Sequence, residues 1–135
     1  MRARHLVLVL LMGGLAGAGT AQPVAPPAEA QRATGPLYAV EFRTGPRWVE
    51  GKPPPEQAYF REHSANLRKL REQGVLVLGA RYGDKGFVLL AAENAEAARA
   101  LVDADPAVQH GTFVYDLQAF SVFYGGTVQP PPRRQ

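Results

Sequence analysis

Residues 75–106, VLVLGARYGDKGFVLLAAENAEAARALVDADP, decide the fold. Val75–Ala80 and Gly86–Ala92 are short apolar runs, and the segment Arg81–Lys85 between them holds the turn formers Gly83 and Asp84, so the two runs form a hairpin. Asn94 is a good N-cap, and Ala97, Ala98, Leu101 and Val102 make one apolar stripe along a helix over Ala95–Ala104. Asp105 stands before Pro106, and the residue before a proline is driven out of helical geometry, which stops that helix.

On the N-terminal side, residues 37–43 alternate, with Tyr38, Val40 and Phe42 on one side and Glu41 and Arg43 on the other, as in a half-buried strand. A loop with Gly45, Pro46, Trp48 and Gly51 follows. Pro53, Pro54 and Pro55 lead into a helix expected over residues 55–73, with Gly74 suited to the left-handed position after its end. On the C-terminal side a last strand is expected over Thr112–Phe123. Its inward set is Phe113, Tyr115 and Leu117, then Phe120 and Val122, a change of phase that implies a bulge near Gln118.

Strand, helix, strand, strand, helix, strand is the order of an α+β, ferredoxin-like βαββαβ domain: a four-stranded antiparallel sheet with two helices on one face. Val75–Leu78 and Phe87–Leu90 are apolar on both faces, although the helices cover only one. The uncovered sheet face is therefore expected to be buried in a homodimer, sheet against sheet.

The ends differ in kind. Residues 1–21 have the parts of a secretory signal: Arg2 and Arg4, an apolar run from Leu6 to Leu15, then Gly19 and Ala21 before a cleavage site. Export to the periplasm or the medium is the expectation, with no membrane association once the signal is cleaved. Residues 22–36 form an Ala/Pro-rich tether, residues 37–124 the domain, and residues 125–135 a Pro-rich tail expected to be disordered. The 135-residue chain has no cysteine, so neither disulfides nor a thiol nucleophile are available. Its formal charge of +3 comes from the ends; residues 35–126 carry ten Lys and Arg against eleven Asp and Glu, which leaves no basic excess for nucleic acid.

His63 is the most informative polar residue. At about 100° per residue, Tyr59, Phe60, Leu67 and Leu70 share one helix face, and His63 falls in the middle of it. An imidazole there can move a proton or bind a ligand oxygen, or it can be a core histidine satisfied by one partner. Asp103 and Asp105 stand at a helix C-terminus, where acids oppose the helix dipole, yet Asp-Pro is also an ordinary turn starter. Trp48 is a candidate lid over a ligand and otherwise a pin for its loop, Tyr59 is a candidate ligand contact on the His63 face, and Asp84, in the hairpin turn, is a candidate ligand contact and otherwise an ordinary turn former. His5, His63 and His110 have no metal-ligand spacing, and no P-loop, dinucleotide fingerprint or G-x-S-x-G is present, so neither metal nor cofactor is expected.

Leu37-Tyr38-Ala39-Val40-Glu41-Phe42, His63 eleven residues before Gly74, the run Glu96–Pro106 ending in Asp-Pro, and Gly111-Thr112-Phe113 together resemble the YCII (YciI-like) family over nearly all of residues 37–123. The resemblance implies a dimeric α/β-barrel arrangement with a small cleft in which His63 and Asp105 lie close and act as a catalytic pair. Related barrels include muconolactone isomerase-like enzymes, and one branch of the family is associated with dehydrochlorination of chlorinated hydroxyquinols. The function so implied is acid/base chemistry on a small molecule, of isomerase, lactone or elimination type; a non-catalytic ligand-binding or structural dimer module is the alternative. Two positions depart from the family pattern: Ala107 stands where phenylalanine is common after Asp-Pro, and Gly79-Ala80 where Gly-Pro is common.

Overall fold

The alternation of residues 37–43 becomes a central strand, β1 (Leu37–Thr44), which buries Tyr38, Val40 and Phe42 and turns the residues between them to the other face. The computed structural model describes residues 35–132, so the expected signal segment and most of the tether lie outside the described residues. After β1 come a 3₁₀ turn at Pro54–Glu56, α1 (Phe60–Glu72), the hairpin β2 (Leu76–Tyr82) and β3 (Lys85–Ala91), α2 (Ala95–Asp103), α3 (Pro106–His110) and β4 (Phe113–Phe120). The sheet order is β2-β3-β1-β4, with every neighbouring pair antiparallel. This is the ferredoxin-like arrangement of the α+β class.

One core holds the two layers together. Tyr38, Val40, Phe42, Leu76, Val88, Leu90 and Leu117 from the sheet meet Leu70, Ala98 and Val102 from the helices. Removing each Val, Leu or Phe side chain of this set from water contributes about 1.5–3 kcal/mol. Asn94 caps α2 as its side chain suggests, accepting from the Ala97 amide at 2.8 Å, and Gly74 takes φ 73° after α1, where a side chain would be strained.

Three expectations need correction. The first helix does not begin at Pro55: the prolines make only a 3₁₀ turn, the chain passes through Tyr59 at φ 60°, and α1 starts at Phe60. The 3₁₀ turn ends at Gln57, whose backbone is extended at φ −68° and ψ 148°, and Tyr59 redirects the chain at a left-handed position costing about 1–2 kcal/mol. The last strand has no bulge near Gln118; β4 pairs with β1 continuously from Phe113 opposite Thr44 to Phe120 opposite Leu37. Phe120 therefore belongs to the open sheet face, with its ring 6.5 Å from that of Phe87, and Val122 lies beyond the strand. The irregularity is instead in β2, between Leu76 and Leu78. The short helix α3 carries no sequence signal beyond Pro106 at its first turn.

The loop after β1 is fastened at both ends. Gly45 donates to the Thr112 carbonyl at 2.8 Å and Arg47 to the Gly111 carbonyl at 3.0 Å, an approach so close that a Cβ on Gly45 would strike the Gly111 carbonyl oxygen. Farther on, the buried Gln57 side chain accepts from the Val49 amide and donates to the Val49 and Lys52 carbonyls, at 2.8–2.9 Å. Gly45→Ala is expected to lower stability by about 1–3 kcal/mol in urea unfolding, because backbone on both sides must move apart; an unchanged midpoint would contradict this packing.

Candidate functional site

Helix α1 turns His63, Leu67 and Leu70 toward the sheet, and the turn after α2 brings Asp105 to meet the imidazole. His63 is 8% exposed and Asp105 1% exposed. Their contact, His63 Nδ1 to Asp105 Oδ2, is 3.0 Å. Asn66, one turn along α1 from His63, donates its Nδ2 to the same Oδ2 at 2.8 Å. The second carboxylate oxygen, Oδ1, accepts from the Ala107 amide at 3.0 Å, so Asp105 is also the N-cap of α3. Both earlier readings of this residue thus hold at once: it is a turn starter, and it is the carboxylate beside the histidine.

Burial alone pushes the Asp105 carboxyl upward, but the hydrogen bond and charge of His63, together with the Asn66 and Ala107 donors, outweigh it and hold the group below the ordinary carboxylate range. An ionised carboxylate can only accept, so Nδ1 of His63 carries the proton. The other nitrogen, Nε2, has no protein partner among the described residues, and no buried side-chain nitrogen or oxygen among them lacks one; Nε2 therefore opens to the adjoining space.

That space is a cleft of about 790 Å³ between α1, the loop after β1 and the far end of the sheet. Trp48, Phe60, Phe113 and Phe42 form its aromatic side around His63. Phe42 meets the imidazole edge-on at 5.2 Å, Phe113 lies 4.9 Å from it, and Trp48 packs 5.8 Å from Phe113. The opposite side is lined at Gly79, Arg81, Asp84 and Gly86 of the hairpin. The volume suits a small molecule.

Of the sequence candidates, His63, Trp48 and Asp84 border this cleft, and Asp105 lies behind His63 rather than in the lining. Tyr59 does not join them. Its side chain leaves the inward face because Tyr59 precedes the helix in a left-handed conformation, and its ring, in a residue 46% exposed, lies 4.7 Å from His110. Asn66 was missed, although its i+3 spacing from His63 places it on the same helix face and could have disclosed it. Gln57 was missed as well, and nothing in its neighbourhood of prolines signals a buried amide. Among the described residues no group of three or more His, Cys, Asp or Glu is placed to hold a metal ion.

Asp105→Ala removes a helix cap and orphans two buried donors, so it is expected to cost about 2–4 kcal/mol of unfolding free energy. Because the folded carboxyl binds its proton less readily than the unfolded one, its stabilisation is complete above the unfolded pKa of about 3.9 and is lost as pH falls through the lower folded value. The melting temperature of Asp105→Asn is accordingly expected to fall less steeply below about pH 4 than that of the parent; parallel acid limbs in the two proteins would contradict the assignment.

No curated protein matches the chain. The family described as the YCII-related domain matches residues 37–121, a span that runs from the start of β1 through the end of β4 and takes in both His63 and Asp105. With well over half its length inside that match, the chain belongs to the YCII-related domain family.

Proposed function

We propose that this protein is an exported small-molecule enzyme in which His63 transfers a proton and Asp105 orients it, in an isomerisation, lactone or elimination reaction. The observation that carries the reading is the division of labour in one imidazole: Nδ1 is bound to a buried carboxylate and Nε2 opens into a ligand-sized cleft. In that arrangement Nε2 takes a proton from a carbon acid beside a carbonyl, and the positive charge created on the ring faces Asp105. The proton returns at another carbon in an isomerisation, or a β-substituent departs with its bonding pair in an elimination. The aromatic wall excludes water from the ring faces and restricts the route to Nε2. Export is supported by the residue pattern of positions 1–21.

The test is exchange of carbon-bound hydrogen for deuterium in a panel of cyclic ketones, lactones and hydroxylated ring compounds, followed by proton NMR. Catalysed exchange by the parent is expected to drop about 10²–10⁴-fold in His63→Gln. ¹⁵N-histidine spectra should find the neutral His63 ring with its proton on Nδ1. Exchange that survives the substitution, or a proton on Nε2, would overturn the acid/base reading. A ligand-binding module is the second reading, favoured by Trp48 in the cleft lining; it is the outcome if compounds bind and are recovered without exchange.

The open sheet face supports the further proposal of a homodimer. Leu37, Leu78, Phe87, Leu89 and Phe120 share that face, and toward its other end lie the ion pairs Lys85–Glu41 at 3.1 Å and Arg43–Asp116 at 2.6 Å. Light scattering at micromolar concentration is expected to give twice the mass of one chain, and a single-chain mass would sink the proposal.

A further inference from the structure

The β2–β3 hairpin has two glycines on the side that faces α1. Gly86 lies opposite Phe42 on β1 and opposite Arg81 on β2, and Gly79 lies opposite Val88; Phe42 and Val88 are core residues, so this row of positions faces the helices. Glycine within a strand weakens it, having neither a side chain to pack nor the restricted backbone that favours extension. Neither position requires glycine. A Cβ at Gly79 would make only ordinary contact with Leu76 at 3.8 Å, one at Gly86 only ordinary contact with Phe42 at 3.5 Å, and neither residue has positive φ. What the missing side chains provide is volume: both glycines line the cleft across from His63.

Arg81 stands next to this floor, on the same face as Gly79 and Gly86, and also lines the cleft. Of the two arginines there, Arg43 sits with Glu41 and Asp116 on the opposite face of the sheet and spends its charge on Asp116 at 2.6 Å. Arg81 has no carboxylate within salt-bridge distance among the described residues. A guanidinium left unpaired beside an aromatic-walled cleft is suited to a planar anion, which it can meet with two parallel hydrogen bonds. Glu50 and Asp84 also border the cleft, and they disfavour a second negative charge on the ligand.

We propose that the substrate is a flat, ring-bearing monocarboxylate, whose ring lies over Gly79 and Gly86 between the hairpin and the aromatic wall and whose carboxylate is bound by Arg81. The inference deepens the acid/base reading of the cleft and rests on it: a carboxylate held by Arg81 on the hairpin fixes which edge of the ring reaches Nε2 of His63.

Trp48, the only tryptophan in the chain, lines the cleft and supplies a single indole N–H signal for NMR titration. Benzoate and its neutral isostere benzamide are the probes, with benzene-1,2-dicarboxylate as the dianion. The expected result is saturable displacement of the indole signal, tightest for benzoate. Arg81→Gln is expected to weaken benzoate roughly tenfold or more while leaving benzamide unchanged, as loss of a charge-assisted contact requires. Gly79→Val should abolish binding of all three probes, and Gly79→Ala should weaken them without unfolding the protein. Equal affinity for benzoate and benzamide, no saturable response to benzoate, or full binding by a folded Gly79 variant would each overturn the proposal. His63→Gln separates it from the catalytic reading: that variant should keep the benzoate preference while losing exchange. A parent protein that prefers benzoate yet catalyses no exchange refutes the acid/base role alone.

Discussion

A carboxylate that is almost wholly removed from water must be supplied with donors, and Asp105 obtains them from three places: the imidazole of His63, the amide of Asn66 and the backbone of Ala107. An unpaired charge at that position would cost several kcal/mol. The requirement acts on tertiary structure because two donors are on α1 and the third is on α3. Rotating α1 about its axis, or displacing α3, would strip the carboxylate of partners at once. Asp105 thus fixes the rotation of α1, and with it the direction in which His63 points.

The cleft follows from a second constraint, on the chain between β1 and α1. That segment is rich in proline and could not be held by a regular ladder of amides. It is held instead by the Gly45 and Arg47 amides, which donate to the Thr112 and Gly111 carbonyls between α3 and β4, and by the Gln57 side chain, which satisfies three backbone groups of the loop. Thr112 adds its hydroxyl to the Ala58 carbonyl at 2.8 Å. Trp48 is carried by this fastened loop and rests on Phe113, so the aromatic wall is a consequence of backbone hydrogen bonds made elsewhere.

The sequence discloses the architecture because its apolar periodicities change cleanly from two to 3.6 and back, with Gly74, Asn94 and Pro106 marking the ends. It discloses less wherever one residue type serves two purposes. Phe120 looks like an inward residue after a bulge, because the alternation of one strand does not say to which face an aromatic side chain at its end belongs. Tyr59 looks helical, because a left-handed tyrosine leaves no compositional trace. His63 could be placed on the inward face by spacing, whereas its partner could be named only through family resemblance, since 42 residues separate the two in the chain. Asn66 has no unusual neighbours and becomes meaningful only once Asp105 is known to be charged and buried.

The positions that make the cleft also run against local stability. Gly79 and Gly86 weaken strands that valine or isoleucine would strengthen. Departures from local preference that cluster around one concavity are what a site requires when packing would otherwise fill it. Asp105 is the opposite case, because it caps a helix and ties two elements together while it orients His63. Substitution there mixes folding with chemistry. The hairpin glycines and Arg81 lie on the other side of the cleft, support no cap and close no core contact, so the shape and charge of the site can be altered there with the buried carboxylate left intact.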